Sequence, residues 1–191
     1  MALTMEGLRK LLEAVQLPYF IAPDRPAIMV GGEGMFGRYQ VVIPLEMEGR
    51  FMQFRTIGYL RCTGDHKHLS EVLKVLAVMN YNRRLVKFGW DSTDGEIVAY
   101  ADLWLMDGNI TVEQFRRMVQ NYFSVIDLGC GRIKAVLETG KDPGDMDPQE
   151  MMRAATASGG LPEQVRKIME KLLGKKGPDD SPKSGPDFSR I

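Results

Sequence analysis

The chain has 191 residues, 44% hydrophobic and 26% charged, with 25 basic residues balancing 25 acidic ones. This length supports one ordinary core with an appendage, or two small domains. Zero formal net charge lacks the basic surplus that displaces counterions from nucleic acid, so no nucleic-acid partner is expected; Arg83-Arg84 and Lys175-Lys176 read as solvated surface pairs.

The N-terminus, MALTMEGLRKLLEAVQLPYF, is broken by Glu6, Arg9, Lys10 and Glu13, so no export signal is expected. No segment approaches the roughly 20 apolar residues of a membrane helix, so no membrane partner is expected and the assigned location is cytoplasmic. Leu8, Leu11, Leu12 and Val15 recur at helical spacing and predict a helix over 4–16, closed by Pro18. Extended structure follows. YFIA (19–22) reads as a short strand and AIMV (27–30) as a stronger one. RYQVVIPLEM (38–47) alternates, with Tyr39, Val41, Ile43, Leu45 and Met47 on one face. Pro44 cannot donate a ladder hydrogen bond and predicts an edge or a bulge. After a turn at 48–50, FMQFRTIGYLRC (51–62) alternates again, with Met52, Phe54, Thr56, Leu60 and Cys62 together, completing a hairpin.

The period changes at 66–82, where Leu69, Val72, Leu73, Leu76 and Met79 form a helical stripe. LVKFGW (85–90) and EIVAYADLWL (96–105) are strands joined at Asp94-Gly95, a pair suited to a turn with positive φ. A turn at 107–109 precedes Thr111-x-x-Gln114, a capping box that opens a helix with Val112, Phe115, Val119, Tyr122, Phe123 and Ile126 as its stripe. Gly129-Cys130-Gly131 interrupts or ends that helix, or RIKAVLET carries it on to Gly140. GKDPGDMDP is a linker by composition. Two short helices are predicted beyond it, one opened by Asp147-Pro148 and one over 161–174 with Val165, Ile168, Met169 and Leu172 on one face. The expected division is a domain over 1–140, linker and short helices over 141–173, and a disordered tail over 174–191.

Gly32-x-Gly34-x-x-Gly37 has the spacing of nucleotide-binding loops. A dinucleotide loop needs a helix N-terminus after it to hold the pyrophosphate, and here a strand follows. A kinase loop sits in a hairpin but requires valine where this chain has Tyr39, together with sequences this chain lacks. The glycines are instead assigned to positive φ in a hairpin connection. Cys62, His66 and His68 are close in sequence but straddle a strand end and a helix start, and Cys62 sits on an apolar face, so no metal is assigned. The two cysteines make no disulfide framework; Cys130, between glycines, is a candidate exposed thiol. Asp102 reads as a solvent-facing carboxylate rather than a buried acid. No catalytic residue and no cofactor are assigned, and the chain is read as not an enzyme.

Thirteen methionines suit surfaces that accept varied apolar partners, although gap-filling in the core accounts for most of them. Tyr59, Val98, Tyr100 and Trp104 fall opposite the core stripes and need cover from the tail, a second copy or a ligand. With Met47, and with Ile168 and Leu172 of the 161–173 helix, they are the candidate partner-binding residues. That helix either captures a partner or docks on its own domain.

The stretch from Leu69 to about Ile126 resembles the YbjN-domain family, a bacterial family with a fold similar to type III secretion chaperones. The resemblance lies in an apolar helix ending at Asn80, the strand KFGW, a DG turn, a strand running into DLWLMDGNIT, and a helix containing FRRMVQNYF. It implies an α+β fold in the order α-β-β-β-α-β-β-α, a mainly antiparallel sheet packed by helices, with the helical tail appended. It further implies a homodimer and a chaperone-like or regulatory role. The combined expectation is a non-enzymatic module that holds a protein or peptide partner on apolar surfaces. A structural scaffold dimer without a client, and a small-molecule enzyme with a pocket beneath the glycine loop, are the alternatives.

Overall fold

The computed structural model describes residues 2–21, 27–105 and 110–145. Helix α1 (Met5–Ala14) begins where the Thr4 hydroxyl accepts the Gly7 N–H at 3.0 Å, satisfying an amide the helix cannot. The strands are β1 (Tyr19–Ile21), β2 (Ala27–Glu33), β3 (Arg38–Glu46), β4 (Phe51–Ile57), β5 (Leu60–Arg61), β6 (Lys87–Trp90) and β7 (Glu96–Trp104). Helix α2 (Leu69–Asn82) separates β5 from β6, and α3 (Val112–Thr139) follows β7. The architecture is α+β with an entirely antiparallel sheet. The short helices expected after residue 147, the tail beyond 174, the turn at 107–109, and Ile168 and Leu172 lie outside the described residues.

Strand order is β1-β2-β3-β4-β7, with β5 continuing the line of β4 along β7 and β6 on the other side of β7. The strands β1 and β6 therefore bound the sheet. All three helices contribute to a single core on one face. Leu8 and Leu12 of α1, Ile28, Ile43, Met52, Phe54 and Ile97 of the sheet, Val72 of α2, and Phe115, Tyr122 and Ile126 of α3 are fully enclosed there. Phe54 is its aromatic centre, 6.0 Å from the Phe115 ring and 5.4 Å from that of Tyr122.

Several local expectations are corrected. Pro44 lies in an interior strand without a bulge, and the β3–β4 ladder simply lacks pairs at Ile43 and Pro44 while its register continues. Met47 leaves the strand. With Glu48 and Gly49 it forms a 3-10 turn in which all three have positive φ, leaving Met47 exposed. The expected strand over 51–62 breaks at Gly58, whose φ is 58°. Leu60 still pairs with core-facing Ile97 and Cys62 stays buried, so the alternation resumes in phase, and Tyr59, in the break between the two strands, points into the core. Gly129-Cys130-Gly131 neither ends nor interrupts α3, which runs 28 residues to a left-handed Gly140. A β-carbon on Gly129 would stand 2.7 Å from the Phe88 ring, and one on Gly131 the same distance from Phe36. Glycine is needed there so that the helix can lie against those rings, at a cost of about 1 kcal/mol each in helix propensity.

Candidate functional site

The face of the sheet opposite the helices carries apolar residues left over from the core together with polar ones. One row crosses six strands in register: Phe20, Met29, Val42, Arg55, Tyr100 and Lys87. Beside it lie Ile57 and Val98, and toward the far end of β7 Trp104 tilts against Phe51 at 5.0 Å. Phe20 is 63% exposed, Trp104 57% and Ile57 43%. Large apolar side chains in water on one sheet face mark a candidate interaction face, here interrupted by the exposed Gln53–Asp102 pair between Trp104 and the row through Tyr100.

The predicted residues divide on this geometry. Tyr100 and Trp104 lie on the outer face, the first half-buried and the second open. Val98 is also on that face but is covered by its neighbours to 8% exposure. Met47 is exposed on the 3-10 turn, outside the sheet. Tyr59 is a correction: its ring is enclosed between those of Tyr39 and Phe88, its hydroxyl donates to the Ile126 carbonyl, and burial pushes its phenol pKa well up. Sequence reasoning passed over Phe20 and Ile57, although both occupy the out-facing phase of alternating strands, which was the available signal.

The glycine loop has a structural explanation different from the one expected. None of Gly32, Gly34 and Gly37 has positive φ. The Gly34 N–H donates to the Gly37 carbonyl at 2.8 Å, closing the β2–β3 hairpin. Asp127 of α3 reaches up to it, accepting from the N–H groups of Met35 (2.8 Å) and Phe36 (2.9 Å) and from the Tyr39 hydroxyl (2.6 Å). Burial first, then the bond to Asp127, raises the Tyr39 phenol pKa. A β-carbon on Gly32 would stand 2.5 Å from the Phe123 ring. Gly32 and Gly34 admit a helix rather than a phosphate, and the N–H groups of Met35 and Phe36 are already spent on a carboxylate.

Other candidates for chemistry fall apart in space. Cys62 and Cys130 are both buried, and burial is the leading cause of their raised thiol pKa values; Cys130 is therefore not the exposed thiol its glycine neighbours suggested. The His66 Nδ1 accepts the His68 N–H at 3.2 Å, and the two rings are 6.0 Å apart. Among the described residues no three His, Cys, Asp or Glu side chains converge as metal ligands would. Asp102 is exposed and accepts the Gln53 amide at 2.7 Å. No described helix is long and apolar enough to cross a membrane.

Two further features are polar. Arg132 of α3 is buried yet fully paired, donating to both carboxylate oxygens of Asp142 (2.7 and 2.8 Å) and to Asp145 (2.6 Å). This pairing fastens residues 141–145 to α3. Arg83, which leans on the same Asp145 at 3.7 Å, helps with Asn82, Arg84, Leu85, Trp104 and Arg117 to line a groove of about 800 Å³.

No curated protein matches the chain. Among solved structures it is similar to that of YbjN, a putative transcription regulator from E. coli, with 19% identity, coverage of 71% of this chain and 90% of that one, and a TM-score of 0.49. It is also similar to a chain of the ExsC–ExsE complex, with 15% identity, coverage of 70% and 97%, and a TM-score of 0.45. The family model described as "Putative bacterial sensory transduction regulator" matches residues 4–128, well over half of the sequence. The chain belongs to the YbjN family.

Proposed function

We propose that this protein is a non-enzymatic, chaperone-like or regulatory module that holds a partner polypeptide on the outer face of its sheet. The observation that carries the reading is the uncovered row from Phe20 through Val42, continued by Ile57 and Trp104. An antiparallel sheet with one solvated face ordinarily places polar side chains there, and this one sets Phe20, Ile57 and Trp104 in water among its polar residues Gln53, Arg55 and Asp102. The family description as a sensory transduction regulator points the same way. In this reading the module works as a homodimer, with the outer faces of two copies available to a client.

The test is capture from native cell extract with the full chain and with Ile57→Glu and Trp104→Glu variants, each checked by circular dichroism. The variants should remain folded and lose the partners that the parent retains. Sedimentation of the same proteins separates the scaffold alternative. A parent dimer that the substitutions split, with no partner captured by either form, would mean that the face serves self-association alone.

A further inference from the structure

The groove beside Trp104 is built from three segments: Asn82–Val86 after α2, Leu103–Leu105 at the end of β7, and Ile110 to Val125 across the start of α3. Its apolar lining includes Leu85, Leu103, Met118 and Val125, and its amides come from Asn82, Gln114 and Asn121. Arg83, Arg84 and Arg117 also line it, and no carboxylate does among the described residues. Arg117 leans on Glu113 at 2.9 Å and Arg83 on Asp145 at 3.7 Å. Arg84 is exposed and has no ion pair among the described residues. The Arg83-Arg84 pair is thus joined by an arginine from another element around an apolar hollow.

We propose that this groove docks a short partner segment in which carboxylates flank large apolar side chains. The apolar lining is covered only by apolar groups, and guanidinium groups pair with carboxylates through parallel hydrogen bonds. The side-chain amides suit the backbone of an extended or helical segment. A nucleic acid fits less well, because it needs a long basic track rather than a few arginines around an apolar hollow. The inference rests on the protein-binding reading and adds a second, charge-selective contact to the sheet face.

The probe is a fluorescein-labelled peptide of alternating glutamate and leucine with one central phenylalanine. Its twin carries glutamine in place of every glutamate. Binding to the full chain is read by anisotropy and by Trp104 fluorescence. The acidic peptide should bind saturably, weaken on raising salt, and exceed its twin by about tenfold or more. Arg84→Glu with Arg117→Glu should weaken it by a similar factor, and the milder Arg84→Gln with Arg117→Gln serves if charge reversal impairs folding. Ile57→Glu should leave peptide binding unchanged. Equal affinity for the two peptides, no effect of the arginine substitutions, no saturable binding, or displacement by a single-stranded oligonucleotide at lower concentration overturns the proposal. If Ile57→Glu abolishes capture of native partners while the peptide never binds, this inference falls and the protein-binding reading stands.

Discussion

The Asp127 carboxylate lies against Gly34 so closely that no β-carbon fits between them. The contact joins the middle of α3 to the tip of the β2–β3 hairpin, and three hydrogen bonds converge on it. Gly34→Ala therefore forces the hairpin off the helix and should cost about 1–3 kcal/mol, as overpacking does. Gly64→Ala is the control, because nothing lies within 4 Å of its β-carbon position and its φ is ordinary; it should be neutral or slightly stabilising, by under about 1 kcal/mol. Urea unfolding of the two variants checks the contrast, and equal effects would remove the close-approach explanation of the glycine loop.

Tyr59 supplies a second test, since the sequence placed it on a partner-binding face and the structure encloses it. Tyr59→Phe removes the bond to the Ile126 carbonyl and should cost about 1–2 kcal/mol. Tyr59→Ala should cost about 3–5 kcal/mol, as for other large buried aromatics. Both effects appear in unfolding curves, and Tyr59→Phe should capture partners as the parent does. A folded Tyr59→Phe that loses partners would return the residue to the binding face.

What could be read from the sequence was local. The capping box at Thr111 and Gln114, the Asp94-Gly95 turn with φ 77° at Gly95, and the stripe of α2 each depend on residues within a few positions. What misled depended on distant neighbours or on one dihedral. Gly32, Gly34, Gly129 and Gly131 are small because rings and a carboxylate from other elements press on them. Tyr59 changed sides because the strand breaks at Gly58, with φ 58°, and Tyr59 falls in the break rather than in the alternation. On the candidate face, Trp104 and Tyr100 followed from strand period, while the arginine groove did not, since its walls come from three separated segments.

Arg132 and Asp142 make stability depend on acidity. The hydrogen bond from Arg132 holds the Asp142 carboxyl below its ordinary pKa. The unfolded chain then binds the proton more readily, so stability rises with pH between the lowered value and the ordinary one of about 4, and is constant above it. Arg132→Met should cost about 1–3 kcal/mol at neutral pH, less than for a deeply buried pair because both aspartates reach water. It should also shrink the acid limb of the stability curve. Part of the limb should remain, because Asp65 and Asp91 are held down by their bonds to Thr63 and Thr93. An unchanged limb in denaturant titrations from pH 3 to pH 7 would mean that the pair contributes no linkage.

Asn80 protects an edge of the sheet. Its amide accepts the Phe88 N–H at 2.7 Å and donates to the Phe88 carbonyl at 2.8 Å, while Lys87 Nζ donates to the Asn80 and Arg83 carbonyls at 2.7 and 2.5 Å. Strand β6 bounds the sheet, and an outer strand with free amides and carbonyls invites pairing with another chain. A side chain that mimics a neighbouring strand at Phe88 blocks that route, and the lysine closes the end of α2. Asn80→Ala leaves a part-buried N–H and carbonyl without their protein partners and should cost about 1–3 kcal/mol. It should also promote concentration-dependent association through β6, seen by light scattering under conditions where the parent is unchanged. Asn80→Asp keeps the acceptor for the Phe88 N–H but turns a carboxylate oxygen toward the Phe88 carbonyl, so it should destabilise at least as much as alanine. If Asn80→Ala lowers stability without any association, the residue anchors β6 to α2 and does not guard the edge.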